Sequence, residues 1–381
     1  MSRWKHWAVI TATTTALGAS AVVAGPAATS TAVDPAYDYT TVVSGLAIPW
    51  DVTWVGTTML YDQRAGGLYA QPRGGRAHRL TAKVPTPYAQ SEGGLLGMVA
   101  DPKAATNRVF YTCQTVKKNK DVEVLRWRLG ADARSAALIG KPLIKGIPLS
   151  SGRHSGCRLR FSPKGMLYVG TGDAAQTKNP QSLSSLGGKV LRIHPDGRLA
   201  KTNPFYRSGG KARYIWNFGH RNVQGLAIRP GTGRMYSAEQ GTDRDDEVNL
   251  VLGGKNYGWQ PGPGYNENRP MTDRKRFPHA VRAVWSSGKP TKATSGITFL
   301  SGSGWQDWDG ALAVGQLKAT GIRLLFLSKA GNVTGTEVVP GSEAFGRIRT
   351  VQQGPDGALY FTTSNSTGKQ HVDKIVRVTL R

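Results

Sequence analysis

Two cysteines in 381 residues are too few for a thiolate zinc framework. In an exported chain they permit one disulfide, and a pair of buried free thiols is the other reading. Acidic residues are also scarce: 24 Asp and Glu face 50 Lys and Arg, a formal net charge of +26. Such a charge points first to nucleic acid. Here the basic residues are spread along the chain rather than packed into one tract, and no stacked-aromatic motif accompanies them. No nucleic-acid partner is therefore expected. A basic exported protein near an anionic envelope, or a site built for a small polyanion, suits the charge better. Beyond the N-terminal segment no run is apolar for long enough to span a bilayer, so no stable membrane insertion is expected once that segment is removed. A long helical periodicity is missing too, which leaves short strands and turns as the building material.

The N-terminal segment has its own pattern. Residues 1–6 carry Arg3 and Lys5, and residues 7–24 are apolar, small and uncharged. That pattern predicts a secretory signal peptide over residues 1–24, cleaved after Ala21 or Ala24, and a secreted or extracytoplasmic protein. A disordered basic tail is the alternative. The segment has no cysteine near its end, so a lipid anchor is not expected. Residues 25–37 read as a flexible linker, and residues 38–381 as one folded domain.

Within that domain, 48 glycines and 21 prolines in the whole chain punctuate a repeat. An apolar strand, a Pro/Gly/Asp turn and a second strand with an aromatic recur, as in Leu159-Arg160-Phe161-Ser162-Pro163-Lys164-Gly165-Met166-Leu167-Tyr168. Equivalent positions fall at residues 52, 99, 160, 227, 298 and 351, in steps of 47 to 71 residues. Six such units match the period of an all-β, six-bladed β-propeller with four-stranded antiparallel blades. A pair of β-sandwiches is the competing architecture. Strands at residues 40–43 and 374–378 are expected to share one blade and close the ring, which removes open sheet edges.

Loops at one mouth of a propeller channel can converge on a ligand, so candidate residues should precede the repeats at similar positions. Glu92 precedes the second unit, His154 the third, Arg221 and Asn222 the fourth, and Arg347 and Arg349 the sixth. Lys318 follows a strand of the fifth. A neutral His is the usual general base near pH 7. Arg221, Lys318, Arg347 and Arg349 would gather fixed positive charge, and arginine forks match carboxylates. Arg347 and Arg349 alternate, so on a regular strand both point to one face. Residues 239–247 form an acidic loop with oxygen donors only, which suits Ca²⁺ better than zinc and does not follow the EF-hand pattern. For each of these residues the plain reading is a structural histidine, solvated cations and a solvated acidic turn.

Residues 219–226 (GHRNVQGL), 239–241 (EQG), 245–250 (DDEVNL) and 254–259 (GKNYGW) together resemble the glucose/sorbosone dehydrogenase family. So do residues 93–97 (GGLLG), 153–156 (RHSG), 170–173 (GTGD), 317–318 (LK) and 346–349 (GRIR), in order over about residues 40 to 380. The resemblance implies an exported aldose dehydrogenase on a six-bladed propeller, dependent on pyrroloquinoline quinone (PQQ) and Ca²⁺. It would oxidise the anomeric carbon of a sugar to the lactone and pass electrons to an external acceptor. By position, His154 resembles the base, Asp173 its orienting carboxylate, and Arg221 the stabiliser of charge on the quinone oxygen. Glu92, Asn222, Tyr265, Lys318, Arg347 and Arg349 resemble cofactor contacts. The carbonyls of Gly241 and Thr242 resemble ligands of the Ca²⁺ that bridges PQQ. Glu247 and the Tyr257 carbonyl resemble a second, structural Ca²⁺ site. Glu92 stands where many relatives have Gln, and Cys157 replaces a glycine; with Cys113 it would staple the second and third blades. Two other classes remain open: a non-catalytic Ca²⁺-binding propeller for carbohydrate or a protein partner, and a Ca²⁺-dependent lactone hydrolase. The latter would need metal ligands converging on the channel from several blades.

Overall fold

The computed structural model describes residues 37–367 and 370–381. The expected signal peptide and nearly all of the expected linker lie outside the described residues. The first strand begins at Tyr37, the last residue assigned to the linker.

Short turns set the inner hairpins. At residues 162–166 the Ser162 N–H donates to the Met166 carbonyl at 2.9 Å, with Gly165 at φ 71°. A glycine takes this left-handed conformation without the Cβ penalty. The same closure recurs at Arg229–Arg234 and Gly354–Ala358. Apolar residues on both faces then bury each hairpin between its neighbours.

Six antiparallel blades result. Blade 1 comprises Val52–Val55, Thr58–Asp62, Leu68–Gln71 and His78–Arg79. Blade 2 comprises Leu95–Ala100, Val109–Val116, Asp121–Leu129 and Ile144–Pro148, with Ala136–Leu138 added beside its third strand. Blade 3 comprises Gly156–Phe161, Leu167–Thr171, Lys189–Ile193 and Ile215–Phe218. Blade 4 comprises Val223–Ile228, Met235–Glu239, Glu247–Leu250 and Trp285–Ser286. Blade 5 comprises Thr294–Phe299, Leu312–Gln316, Ile322–Leu327 and Val333–Val338. Blade 6 comprises Ile348–Gln353, Leu359–Thr363, Asp373–Leu380 and, from the other end of the chain, Tyr37–Leu46. The six repeat positions all lie on innermost strands. The strands at 122–127, 189–193 and 322–327 are third strands, each covered by one more.

Successive innermost strands pack against one another around a closed ring. Asp373 helps lock the closure by accepting the Ile48 N–H at 2.9 Å. The channel is filled by polar side chains. Arg158 donates to Asp51 Oδ2 at 2.6 Å and to Thr350 Oγ1 at 2.9 Å, all three side chains being buried. Five of the six innermost strands break register within their first few residues, at Leu95/Met98, Gly156/Arg158, Val223/Gly225, Thr294/Ile297 and Ile348/Thr350. Bulges re-aim side chains, and these five lie together at one mouth. The far ends of the innermost strands line a recess of about 600 Å³ at the opposite mouth.

Candidate active site

His154 is built into a bent entry to blade 3. Gly152, His154, Gly156 and Cys157 all have φ between 53° and 90°, the left-handed region. Ser155 Oγ donates to the Gly152 carbonyl at 2.8 Å. Cys157, the bulged residue, is joined to Cys113 on the second strand of blade 2 by a disulfide with Cα atoms 5.4 Å apart. The staple between blades 2 and 3 is thus present. Gly172 lies so close that a Cβ there would meet the His154 carbonyl oxygen at 1.9 Å. No other residue type fits.

The imidazole is buried, with the side chain 3 % exposed. Its Nδ1 lies 2.9 Å from Asp173 Oδ1 and 2.8 Å from the Tyr265 hydroxyl. Asp173 is fully buried and also accepts from Trp259 Nε1 at 2.8 Å, from the Tyr265 hydroxyl at 2.7 Å and from the Ala175 N–H at 2.8 Å. With a carboxylate as its partner, Nδ1 carries the proton and donates. Burial first, and then the Asp173 charge, push the Tyr265 phenol far above its ordinary value, so it remains a donor. Nε2 has no hydrogen-bond partner among the described residues and is the nitrogen free to take a proton.

Glu92 ties this loop to the next blade. Its carboxylate accepts the His154 N–H at 3.2 Å and Asn222 Nδ2 at 2.8 Å. Asn222 Oδ1 in turn accepts the Gly156 N–H at 3.1 Å. Arg64 and Arg349 lie near enough to Glu92 to be perturbed by its charge. Glu92 is therefore a hydrogen-bonded carboxyl group in a cationic setting.

Arg221 is buried. Its backbone N–H donates to Glu239 Oε2 at 2.9 Å, and its Nη1 to the Gln240 carbonyl at 2.9 Å. The guanidinium lies over the Trp259 ring, 5.8 Å from the centroid. Its remaining contact was not anticipated: Nε and Nη2 both donate to Glu267 Oε1, at 3.0 and 2.6 Å. Arg153 pairs with the other Glu267 oxygen. Burial raises the Glu267 pKa, but Arg221 and Arg153 outweigh it and hold the carboxyl below its usual range. Glu267 is a neighbour that sequence reasoning missed, and Trp259, quoted there only within a motif, was given no part in the site. The one available signal was that Glu267 is the sole acid in residues 261–270, two positions from Tyr265.

Arg347 and Arg349 do not share a strand face. Arg347 precedes the strand and donates to the Ser364 and Leu317 carbonyls at 3.0 and 3.1 Å. Arg349 falls in the bulge, which breaks the alternation. Its Nη1 donates to Gln224 Oε1 at 3.2 Å, and its buried Nε has no partner. Burial, above all, pulls the Arg349 guanidinium down to about 9, so it remains charged at neutral pH. Lys318 is exposed beside Leu317, whose carbonyl Arg347 grips.

The acidic loop divides. Asp243 is exposed and pairs with Lys289 at 3.0 Å. Asp246 is buried and occupied by the backbone N–H groups of Gly241 and Lys292, at 2.9 and 2.6 Å. The carbonyls of Gly241 and Thr242 accept no hydrogen bond among the described residues. Deeper in, Glu239 and Glu247 are both buried, and Asn249 Nδ2 bridges them at 3.0 and 3.1 Å. Burial first, then the neighbouring Glu239 charge, push Glu247 up to about 8. Asn249 Oδ1 is buried without a partner. The two facing carboxylates are oxygen donors of the kind a hard cation takes, while Asn249 turns Nδ2 rather than its unpartnered Oδ1 towards them. Among the described residues no three His, Cys, Asp or Glu side chains gather as a metal cluster, so backbone carbonyls such as that of Tyr257 would have to complete the shell. His220 is interior, held between Glu239 Oε1 and Asn217 Oδ1 at 3.0 Å each.

The profile of the family described as glucose/sorbosone dehydrogenase matches residues 46–377. An aldose sugar dehydrogenase of Escherichia coli is 29% identical over 333 residues, covering 84% of this chain and 88% of the relative. Quinoprotein glucose dehydrogenase B of Acinetobacter calcoaceticus is 30% identical over 266 residues, covering 61% and 54% respectively. The solved PQQ-bound form of an aldose sugar dehydrogenase from Streptomyces coelicolor is 28% identical, with a TM-score of 0.72 over 91% of this chain and 99% of that one.

Proposed function

This chain belongs to the glucose/sorbosone dehydrogenase family, and from that membership we propose that it is a PQQ-dependent aldose sugar dehydrogenase acting at the His154 mouth. The observation that carries the reading is the imidazole itself. Asp173 fixes its Nδ1–H, Nε2 has no partner among the described residues, and the buried Arg221 lies at the same mouth.

The residues suit a carboxylated quinone. Arg349 offers a buried, unpartnered Nε, Arg347 and Lys318 add charge at the rim, Tyr265 brings its hydroxyl to the imidazole, and the buried Asn222 holds the Glu92 carboxylate. Bound PQQ would supply the two-electron acceptor. His154 Nε2 takes the proton of the anomeric hydroxyl as the C1 hydride leaves the sugar, and the new C=O completes the lactone. Asp173 holds the imidazole in the tautomer that can do this and offsets the charge it acquires. Arg221 keeps N–H groups to donate to oxygen that becomes negative.

For Ca²⁺, the free carbonyls of Gly241 and Thr242 support one site, at the cofactor. The Glu239–Glu247 pair with the Tyr257 carbonyl supports a second, structural one. Each would neutralise negative charge. Residues 1–24 act as a secretory signal and residues 25–36 as a linker; Tyr37, expected at the end of the linker, instead opens the catalytic propeller of residues 37–381. The disulfide supports an oxidising, extracytoplasmic location. Electrons then pass to an external acceptor.

The test is to reconstitute purified apo-protein with PQQ and Ca²⁺, follow binding by absorbance and assay dye reduction with a panel of aldoses. Binding with sugar-dependent reduction is expected. No PQQ binding and no activity on any sugar would sink the reading and leave a non-catalytic carbohydrate- or protein-binding propeller.

A further inference from the structure

The chemistry above makes no use of Glu267. It sits in residues 261–270, PGPGYNENRP, whose backbone folds back on itself. Gly262 and Asn266 exchange N–H···O=C bonds of 2.7 and 3.2 Å, and the Tyr265 N–H donates to Thr177 Oγ1 at 3.2 Å. Most of this loop is exposed. Two side chains reach from it into the mouth. The Tyr265 hydroxyl ends on Asp173, beside His154. Glu267 ends between two guanidinium groups: one oxygen takes Arg221 Nε and Nη2, and the other takes Arg153. Its side chain is 24% exposed, so the pairing is only partly screened by water.

A guanidinium has five N–H donors. On Arg221, Glu267 and the Gln240 carbonyl occupy three. Two remain for a ligand, but the positive charge behind them is already largely matched by a carboxylate in contact. Arg153, the residue before the base, is matched by the same group. We infer that Glu267, lodged between Arg153 and Arg221, is the internal counter-ion of the site, a positioning residue that latches the 262–269 loop over His154 and against which an anionic cofactor must bind. The inference rests on the PQQ reading. It means that the affinity for the cofactor is set below what the cations alone would confer. It also means that loading and loop closure are coupled through one carboxylate.

Three proteins test it: wild type, E267Q, which keeps the shape but not the charge, and E267D, which keeps the charge. PQQ is titrated into each apo-protein with Ca²⁺ saturating, binding is read by quenching of tryptophan fluorescence, and amide hydrogen exchange at residues 262–269 is measured without PQQ. E267Q should bind PQQ about tenfold more tightly, E267D should remain within about twofold of wild type, and the ligand-free loop should exchange faster in E267Q than in wild type. If wild type binds PQQ but E267Q binds equally or more weakly, or if loop exchange is unchanged, the inference fails while the functional reading stands. If none of the three proteins binds PQQ, the functional reading falls and takes the inference with it.

Discussion

At the scale of single residues, the site is a short chain of dependent positions. His154 can act only through Nε2 because Asp173 claims Nδ1, and Asp173 is itself held by Trp259, Tyr265 and the Ala175 N–H. Replacing His154 by Ala should leave PQQ binding nearly intact and lower turnover by roughly 10²–10⁴-fold, measured by dye reduction at saturating sugar. D173N should lose a comparable factor, because an amide can also present a donor to Nδ1 and so favour the wrong tautomer. Lys189 is a second residue with a defined duty. Fully buried, its ammonium donates to the carbonyls of Asn179, Pro180 and Gly187 at 2.6, 3.0 and 2.6 Å, holding the loop that packs under Asp173. Burial pulls it down to about 7 from 10.5. The unfolded chain therefore binds more protons between about pH 7 and 10.5, so this group adds stability as pH rises through that window and loses it as pH falls through 7. K189M should flatten that rise in Tm between pH 7 and 10. It should also cost at least about 3 kcal/mol by leaving three carbonyls unmet, measured by urea unfolding.

At the scale of elements, the bulges matter more than the regular strands. A strand entering the mouth without a bulge would keep strict alternation, and His154, Asn222 and Arg349 would not converge. The Cys113–Cys157 disulfide sits at one of these bulges, three residues from the base. Closing a loop of 44 residues should be worth about 4 kcal/mol. The C113S/C157S double variant should lower the urea midpoint accordingly. It should also reduce turnover more than PQQ affinity, since the loop it frees carries the base rather than the cationic clamp.

For the whole molecule, stability depends on closing the ring. Residues 37–46 pair with Asp373–Leu380 as the outer strand of blade 6, Tyr37 stacks on Trp308, and Tyr39 packs at a tilt against Phe345. Deleting residues 37–46 exposes the edge of the C-terminal strand and the aromatic cluster beneath it. The expected outcome is loss of a single cooperative thermal transition together with aggregation by light scattering; a truncated protein that melts like the full chain would overturn this account of closure.

The local pattern was enough to determine the architecture. Each repeat position, from Val52 to Val351, falls on an innermost strand, because Pro-Gly turns and two-faced apolar strands are short-range properties of the chain. Glu92, His154, Arg221, Asn222, Arg347 and Arg349 were legible for the same reason: each precedes a repeat. Tertiary structure alone decided the partnerships. Residues 215–259 run from one blade into the next: Ile215–Phe218 ends blade 3, and Val223–Ile228, Met235–Glu239 and Glu247–Leu250 build blade 4. Arg347 and Arg349 looked equivalent until a bulge separated them. Glu239 and Glu247 became a coupled buried pair only through cross-strand register, and Glu267 met Arg221 across 46 residues. Such contacts depend on ring closure and on the paths of loops between blades, and no pattern within a single strand or turn encodes them.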